Sequence, residues 1–379
     1  VLAACGDDED DAQQAVEDAV ADAEQAVEDA VDEVREAAGD AVDAAEEAVA
    51  DAEEAVEEAV DDAAGAVEDA VGDAEDAVDD AVDDADDMAE EMAVPEDWPD
   101  SIVFTLTPSQ ETGGLIETAQ PLADMLAGRL GIGVEALVPT DYAGVIVALQ
   151  SGQAQVAGGL GPRQMVQAEE QAGAELILQA ERFGSLTYVT QWMTNDPDTF
   201  CDDEPVADEE GFLFCNGTLD AEVSDGPLAQ DKLALLEGQT VSFVDQGSTS
   251  GYAIPALQLV EVGIDPIDGV DGVFAGGHDN SVKAVYDGDD VAGTSFSDAR
   301  GDVVEGLADV GEQVVVFGWS GPIPNDGFAV AGDLPEGLAT AITDAFVDIT
   351  MDEDGLALLQ ELYNIDNLVP VTSSDYDVI

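Results

Sequence analysis

The sequence predicts an α/β protein of two lobes with a cleft between them, preceded by a long acidic stalk that is either helical or disordered. Three observations carry this expectation. An alternation of strands and helices runs from Ile102 to Ala180, breaks at an acidic loop holding Cys201 and Cys215, and restarts at Thr240. Every Trp, Tyr and Phe lies after residue 92, so the core has to be built there. Residues 1–92 carry 38 Asp or Glu against one base, Arg35, and take nearly all their apolar surface from Ala and Val.

Global composition sets the outer limits. A length of 379 residues permits two or three domains and a sizeable core. With 46% hydrophobic residues the chain is not disordered throughout. A formal net charge of −82 sets it against nucleic acid and against anionic bilayer surfaces as partners. No apolar run approaches the roughly 18 residues that a membrane-spanning helix requires.

In the stalk, over 6–94, Val16, Val20, Val27 and Val31 are followed by Val42, Val49, Val56, Val60, Val67, Val71, Val78 and Val82. Steps of 4 and 7 alternate for much of this run, giving an 11-residue period of about 3.67 residues per turn, close to a straight helix. The stripe is narrow and carboxylates fill the other faces, so it buries little and like charges repel along it. A spacer is the functional reading; a solvated, partly disordered acidic segment without a specific partner is the alternative.

Pro95 to Pro99 breaks the helical pattern and opens a domain spanning 95–379. Ile102 to Leu106 is expected as a strand, and 114–130 as a helix with Leu115, Leu122, Leu126 and Leu130 inside. Val134 to Val138 is a second strand, and Asp141-Tyr142 opens a helix through Leu149. Val156 to Leu160 is a third strand, followed by a helix near 164–172 and a strand from Leu176 to Ala180. After the cysteine loop, Thr240 to Val244 is a strand, and Ser248 precedes a helix carrying Leu257 and Val260. Val291 to Thr294 and Val314 to Phe317 are further strands; Leu338 to Ile349 and Gly355 to Tyr363 are closing helices. This rhythm indicates mostly parallel sheets with helices on both faces. The lobes are placed at about 100–185 with 325–379, and at about 186–324. Ligands of such sheets sit at strand C-terminal ends, near helix N-termini.

The segment Phe243 to Tyr252, reading FVDQGSTSGY, runs a strand into a hydroxyl-rich turn and then a helix. Three consecutive backbone N–H groups and the hydroxyls of Ser248, Thr249 and Ser250 are expected to face one point, where the helix adds about half a positive charge. Such a pocket holds an oxyanion without Lys or Arg. An ordinary serine helix cap is the plainer alternative. Thirty residues on, Gly276-Gly277-His278-Asp279-Asn280 opens another helix, and His278 is the only histidine in the chain. At a strand-to-helix turn its imidazole is placed to donate to an anion; alone, it reads as a satisfied structural residue.

The segment Val1-Leu2-Ala3-Ala4-Cys5-Gly6 resembles the lipobox of bacterial lipoproteins. The resemblance implies that Cys5 is lipidated, that residues 1–5 are the remnant of a signal and its cleavage site, and that the protein works outside the cytoplasm, held to the cell membrane. A stalk then spaces the globular domain from the bilayer. In that oxidising setting Cys201 and Cys215 are expected as a disulfide, a metal pair being the weaker alternative.

Further motifs stand in a fixed order: Asp141-Tyr142-Ala143-Gly144-Val145-Ile146, Gly159-Leu160-Gly161-Pro162, Ser248 to Tyr252, Gly277 to Asn280, Ser297-Asp298, and Trp319 to Asp326. Together they resemble the periplasmic phosphonate- and phosphite-binding proteins of ABC transporters over about residues 100–375. The resemblance implies a type II periplasmic-binding-protein fold, a small phosphorus oxyanion as ligand, a membrane permease as partner, no enzymatic activity and no cofactor. It implies that Tyr142, Tyr188, Ser248, Thr249, Ser250 and His278 hold the phosphonate oxygens. It places Asp298 and Asp326 where aminophosphonate binders face an ammonium group; either carboxylate could instead accept a proton from a protonated ligand oxygen. Phosphonate, phosphite and phosphate remain open as the ligand. The alternatives are a transferrin-like iron receptor using Tyr142, His278 and Asp298, an oxyanion-activating enzyme, and an acidic interaction or stalk protein. Two lysines in all, Lys232 and Lys283, against this acid excess point to a surface adapted to high salt.

Overall fold

The computed structural model describes residues 94–379, Glu111 excepted, together with Gly65. Cys5 and the acidic repeats therefore lie outside the described residues.

From the N-terminal side, β1 (Ser101–Leu106), α1 (Thr112–Leu130), β2 (Gly133–Leu137), α2 (Tyr142–Gln150), β3 (Val156–Leu160), α3 (Pro162–Ala172) and β4 (Glu175–Glu181) alternate without interruption. Helix α1 forms because Leu115, Ala119, Leu122, Ala123, Leu126 and Leu130 recur at helical spacing, and all six are buried. Helix α2 starts where Asp141 Oδ1 accepts the Gly144 N–H at 2.8 Å. Helix α3 starts on Pro162, whose missing N–H costs nothing at a first turn, and stops on left-handed Gly173.

The chain then crosses through β5 (Thr187–Tyr188) into β6 (Thr190–Thr194). The second lobe adds α4 (Pro197–Phe200), β7 (Val206–Ala207), β8 (Leu213–Phe214), β9 (Thr240–Phe243), α5 (Ile254–Glu261), β10 (Asp271–Phe274), α6 (His278–Asp287), β11 (Ala292–Phe296), α7 (Val310–Gln313) and β12 (Val315–Trp319). The return passes through β13 (Ile323–Pro324) to β14 (Gly327–Val330), α8 (Leu338–Thr350), α9 (Glu353–Tyr363) and β15 (Asn367–Pro370).

Two sheets result, in the orders β15-β4-β14-β3-β1-β2 and β10-β9-β11-β6-β12-β8-β7, and the crossing strands β5 and β13 pair with one another. The sheets are mixed where the sequence predicts mostly parallel ones. Strand β14 runs antiparallel to both β3 and β4, and β6 runs antiparallel to both β11 and β12. Each is the first strand after a crossing. It enters its sheet from the other lobe without a crossover helix, so it points against its neighbours.

Each sheet carries apolar side chains on both faces. In the first lobe Phe104, Phe328 and Phe346 meet on one face, with ring centroids 4.9–6.4 Å apart, under α1, α8 and α9. Val145, Ile146, Leu149 and Met165 fill the other. In the second lobe Trp192, Phe243 and Phe317 lie on one face, and Val282, Val285 and Val316 on the other. Leu257 and Val260 are exposed on α5; Leu259 and Gln258 face inward instead. A disulfide joins Cys201 to Cys215.

Candidate functional site

The turn after β9 is shaped by one missing hydrogen. Pro255 has no N–H, so the Gly251 carbonyl loses its helical donor. That carbonyl accepts instead from Thr294 Oγ1 at 2.8 Å and from the Val244 N–H at 3.2 Å. The first turn, Thr249–Ala253, widens to a π-helix, with the Ala253 N–H reaching the Ser248 carbonyl at 3.0 Å. Ser248 Oγ accepts the Gly251 N–H at 3.0 Å, which leaves its own hydroxyl proton free to donate. Ser248, Thr249 and Ser250 are all buried. Three consecutive amides do not converge here as the sequence suggests. The Ser248 N–H is already committed to the Asp245 carbonyl at 3.0 Å, and the amides of Thr249 and Ser250 head the helix.

This turn closes onto the first lobe. Thr249 Oγ1 accepts the Arg163 N–H of α3 at 2.9 Å, and the His278 N–H at the start of α6 donates to the Ser109 carbonyl at 2.9 Å. Between the lobes lies a cavity of about 30 Å³, bordered by Tyr142, Arg182, Tyr188, Ser248, Thr249, Ser250, His278, Asp326 and Tyr363. A water needs roughly 10–15 Å³ by the same measure, so the space suits a ligand of a few heavy atoms. Gln164 braces the wall: its amide donates to the Tyr142 carbonyl at 3.2 Å while Oε1 accepts from Thr107 Oγ1 and the Gly161 N–H, both at 3.2 Å. Gly159 has a positive φ of 63°, and a Cβ there would lie 2.4 Å from Tyr363 Cζ. Only glycine lets that ring line the cavity and donate its hydroxyl to the Thr107 carbonyl at 2.8 Å.

The lining is made of neutral donors. Burial, and then the nearby Asp326 charge, hold the phenols of Tyr142, Tyr188 and Tyr363 above their ordinary range, so all three keep their protons. Burial, with Arg182 second, pushes the His278 imidazole down to about 3. Its Nδ1 accepts from the Phe296 N–H at 3.4 Å and lies 2.8 Å from Ser295 Oγ. An amide can only donate, so Nδ1 is the acceptor and the ring proton sits on Nε2.

One guanidinium stands among these groups. Arg182 Nη2 pairs with Asp326 Oδ2 at 2.6 Å, and Arg182 Nε is buried with no acceptor among the described residues. The expectation of a pocket without Lys or Arg is therefore corrected. Arg182 directly follows β4, at the first position of a tight turn to Ser185 whose central residues Phe183 and Gly184 have φ of 51° and 70°. Two positive φ values mark the hairpin turn that matches strand twist, and it aims Arg182 at the cleft. The signal was present in the sequence: one of the few bases, at the C-terminal end of an expected strand.

The structure brings Tyr142, Tyr188, Ser248, Thr249, Ser250, His278 and Asp326 around the one cavity and leaves Asp298 out of it. Asp298 lies at the wider mouth, where Arg300 takes its carboxylate through Nε at 3.0 Å and Nη2 at 2.5 Å. Arg300 is fully buried between the rings of Phe212 and Phe214, 4.9 and 4.5 Å from their centroids. A charge so placed needs its counterion, which fixes Asp298 as structural partner to Arg300. Among the described residues no group of His, Cys, Asp or Glu is arranged to hold a metal ion.

Three comparisons bear on this geometry. A search of curated proteins finds the phosphate-import protein PhnD of Mycolicibacterium smegmatis, 29% identical over 211 residues; the match spans 53% of this chain and 56% of the relative's length. Among solved structures, PhnD1 of Prochlorococcus marinus in complex with methylphosphonate matches with a TM-score of 0.60 and 16% identity, covering 74% of this chain and 96% of that one. A binding-protein component of a Pseudomonas aeruginosa ABC phosphonate transporter matches with a TM-score of 0.59 and 18% identity, covering 74% and 84%. These likenesses show the fold, that of type II periplasmic binding proteins. The family model for the periplasmic phosphonate substrate-binding proteins of ABC transporters matches residues 104–376, well over half of the chain, and the chain belongs to that family.

Proposed function

We propose that the protein is the extracytoplasmic solute-binding component of an ABC importer, which takes a small phosphorus oxyanion between its lobes and delivers it to a membrane permease. The observation that carries this reading is the small cavity between the lobes, walled by protonated hydroxyls, the His278 Nε2–H and one guanidinium. Tetrahedral oxygens need several converging donors, and neutral ones supply them without forcing a large fixed charge into a buried space. Methylphosphonate in the P. marinus structure and the phosphate-import name of the M. smegmatis relative support the same ligand class. The family's members are substrate-binding proteins, and no chemistry is assigned to the site. An iron receptor is disfavoured, because Asp298, one of its three expected ligands, stands apart from Tyr142 and His278 and is paired with Arg300.

Calorimetry of the full chain with phosphite, methylphosphonate, phosphate and Fe³⁺ in high salt tests the reading. At least one phosphorus oxyanion is expected to bind, and Fe³⁺ is expected not to; iron binding alone would reverse the assignment.

Attachment at Cys5 and a spacer role for residues 6–94 complete the proposal, supported by the Leu2-Ala3-Ala4-Cys5 motif and by the 11-residue valine repeat. No helix among the described residues is long and apolar enough to cross a membrane. The intact mass of protein extracted from membranes should show a lipid-modified Cys5; release by a salt wash with an unmodified thiol would remove the anchor.

A further inference from the structure

A ligand that carried an ammonium group beside its phosphorus would need a free carboxylate in or next to the cavity. Asp326 is the one carboxylate bordering the cavity, and its Oδ2 is taken by Arg182; of the carboxylates at the wider mouth, Asp298 and Asp208 are also engaged, while Asp302 has no ion pair among the described residues. Asp326, which borders the cavity, is paired with Arg182 at 2.6 Å, with side chains only 17% and 11% exposed. Asp298, at the wider mouth, is gripped by the Arg300 guanidinium, and its Oδ1 also accepts the Arg300 N–H at 2.9 Å. Arg300 is anchored independently, because Nη1 donates to the carbonyls of Leu213 and Val314, both at 2.8 Å. Asp208, also at the mouth, spends its Oδ1 on the amides of Glu210 and Phe212. Arg300 holds Asp298 through two donors and Arg182 holds Asp326 through Nη2; a guanidinium is always charged, so an ammonium approaching either carboxylate has to compete with a fixed cation in a largely dry site.

Arg182 itself has the opposite need. One edge of its guanidinium serves Asp326, but its Nε–H is buried and unpartnered, and the residue borders both the cavity and its mouth. A buried charged donor without an acceptor is costly, and a ligand oxygen in the cavity would satisfy it.

We propose that Arg182 is a direct ligand of the bound oxyanion, and that its pairing with Asp326, the one carboxylate bordering the cavity, selects phosphorus oxyanions whose substituent, if any, carries no positive charge. This rests on the phosphorus-oxyanion reading of the site and narrows it.

The test is calorimetry on the full chain with methylphosphonate and 2-aminoethylphosphonate. The wild type should prefer methylphosphonate by about 100-fold or more, the scale of one unmatched buried charge. Arg182→Met should weaken methylphosphonate about 10- to 100-fold and shrink or invert the preference, because Asp326 is released. Should that variant fail to fold with Asp326 unpaired, Arg182→Met/Asp326→Asn leaves no lone charge. It should lose methylphosphonate affinity without gaining the amine. Equal or tighter binding of 2-aminoethylphosphonate by the wild type overturns the inference and leaves the functional reading standing. Unchanged methylphosphonate affinity in the double variant overturns the role of Arg182. Failure of the wild type to bind any phosphorus oxyanion overturns both.

Discussion

At the scale of single residues, His278 shows how burial sets chemistry. The imidazole lies among Phe296, Ser295 and Arg182, and its pKa falls from 6.5 to about 3. The ring therefore stays neutral in the folded protein, and any change of ligand affinity near pH 6.5 should follow the ligand's own second ionisation and not this imidazole. Stability should depend on the imidazole. Between about pH 6.5 and 3 the unfolded chain takes up a proton that the folded protein refuses, so the folded state loses ground as pH falls through this window. The slope from this one group approaches ~1.4 kcal/mol per pH unit. The chain's many carboxylates add slopes of their own, but these cancel in a comparison with His278→Gln. Denaturant unfolding of both proteins from pH 7.5 to 4.5 should show the wild type losing stability relative to the variant. A constant difference would mean that the ring is charged in the native protein.

At the scale of elements, what could be read in the sequence depends on how local the cause is. β3, with all five residues buried, is a continuous apolar run and reads directly as a strand. The strand–turn–helix at Phe243 to Tyr252 reads equally well, because its hydroxyls and glycines are contiguous. Its wide first turn does not, although Pro255 is in plain view. The consequence of the missing N–H depends on Thr294 Oγ1 and the Val244 N–H being there to take the freed carbonyl. β6 and β14 are as buried as any strand, yet their direction follows from the crossing between lobes and not from their own composition. Asp298 is the clearest case. Its partner Arg300 is two residues away, but Phe212 and Phe214, which sandwich Arg300, come from β8 and the residue before it, nearly ninety residues earlier. A carboxylate near a ligand motif reads as a ligand contact until the fold supplies its counterion. Arg182 is the converse: a rare base just beyond an expected strand is visible in the sequence, but its aim is fixed only once the turn through Phe183 and Gly184 has formed.

At the scale of the whole molecule, the charge works against the function proposed for it. The chain totals −82, and the described part places nearly all of its few bases in ion pairs: Arg129 with Asp352, Arg182 with Asp326, Lys232 with Asp202, Lys283 with Asp279 and Arg300 with Asp298. Most carboxylates are left to repel one another and any approaching anion. Usual electrostatic steering speeds association at low salt; here the long-range field opposes it, and only the short-range donors of the cleft attract. Raising salt from about 0.1 M to 1 M shortens the screening length from roughly 10 Å to 3 Å. The far field is then removed, while hydrogen bonds at about 3 Å inside the cavity are little affected. The association rate for a phosphorus oxyanion should therefore rise several-fold with KCl while the dissociation rate changes little, and the melting temperature should rise in parallel as surface repulsion is screened. Stopped-flow binding and thermal unfolding across that salt range check both. An association rate that falls with salt would mean that the cleft mouth presents a positive field, with Arg182 and its neighbours outweighing the acidic surface around them.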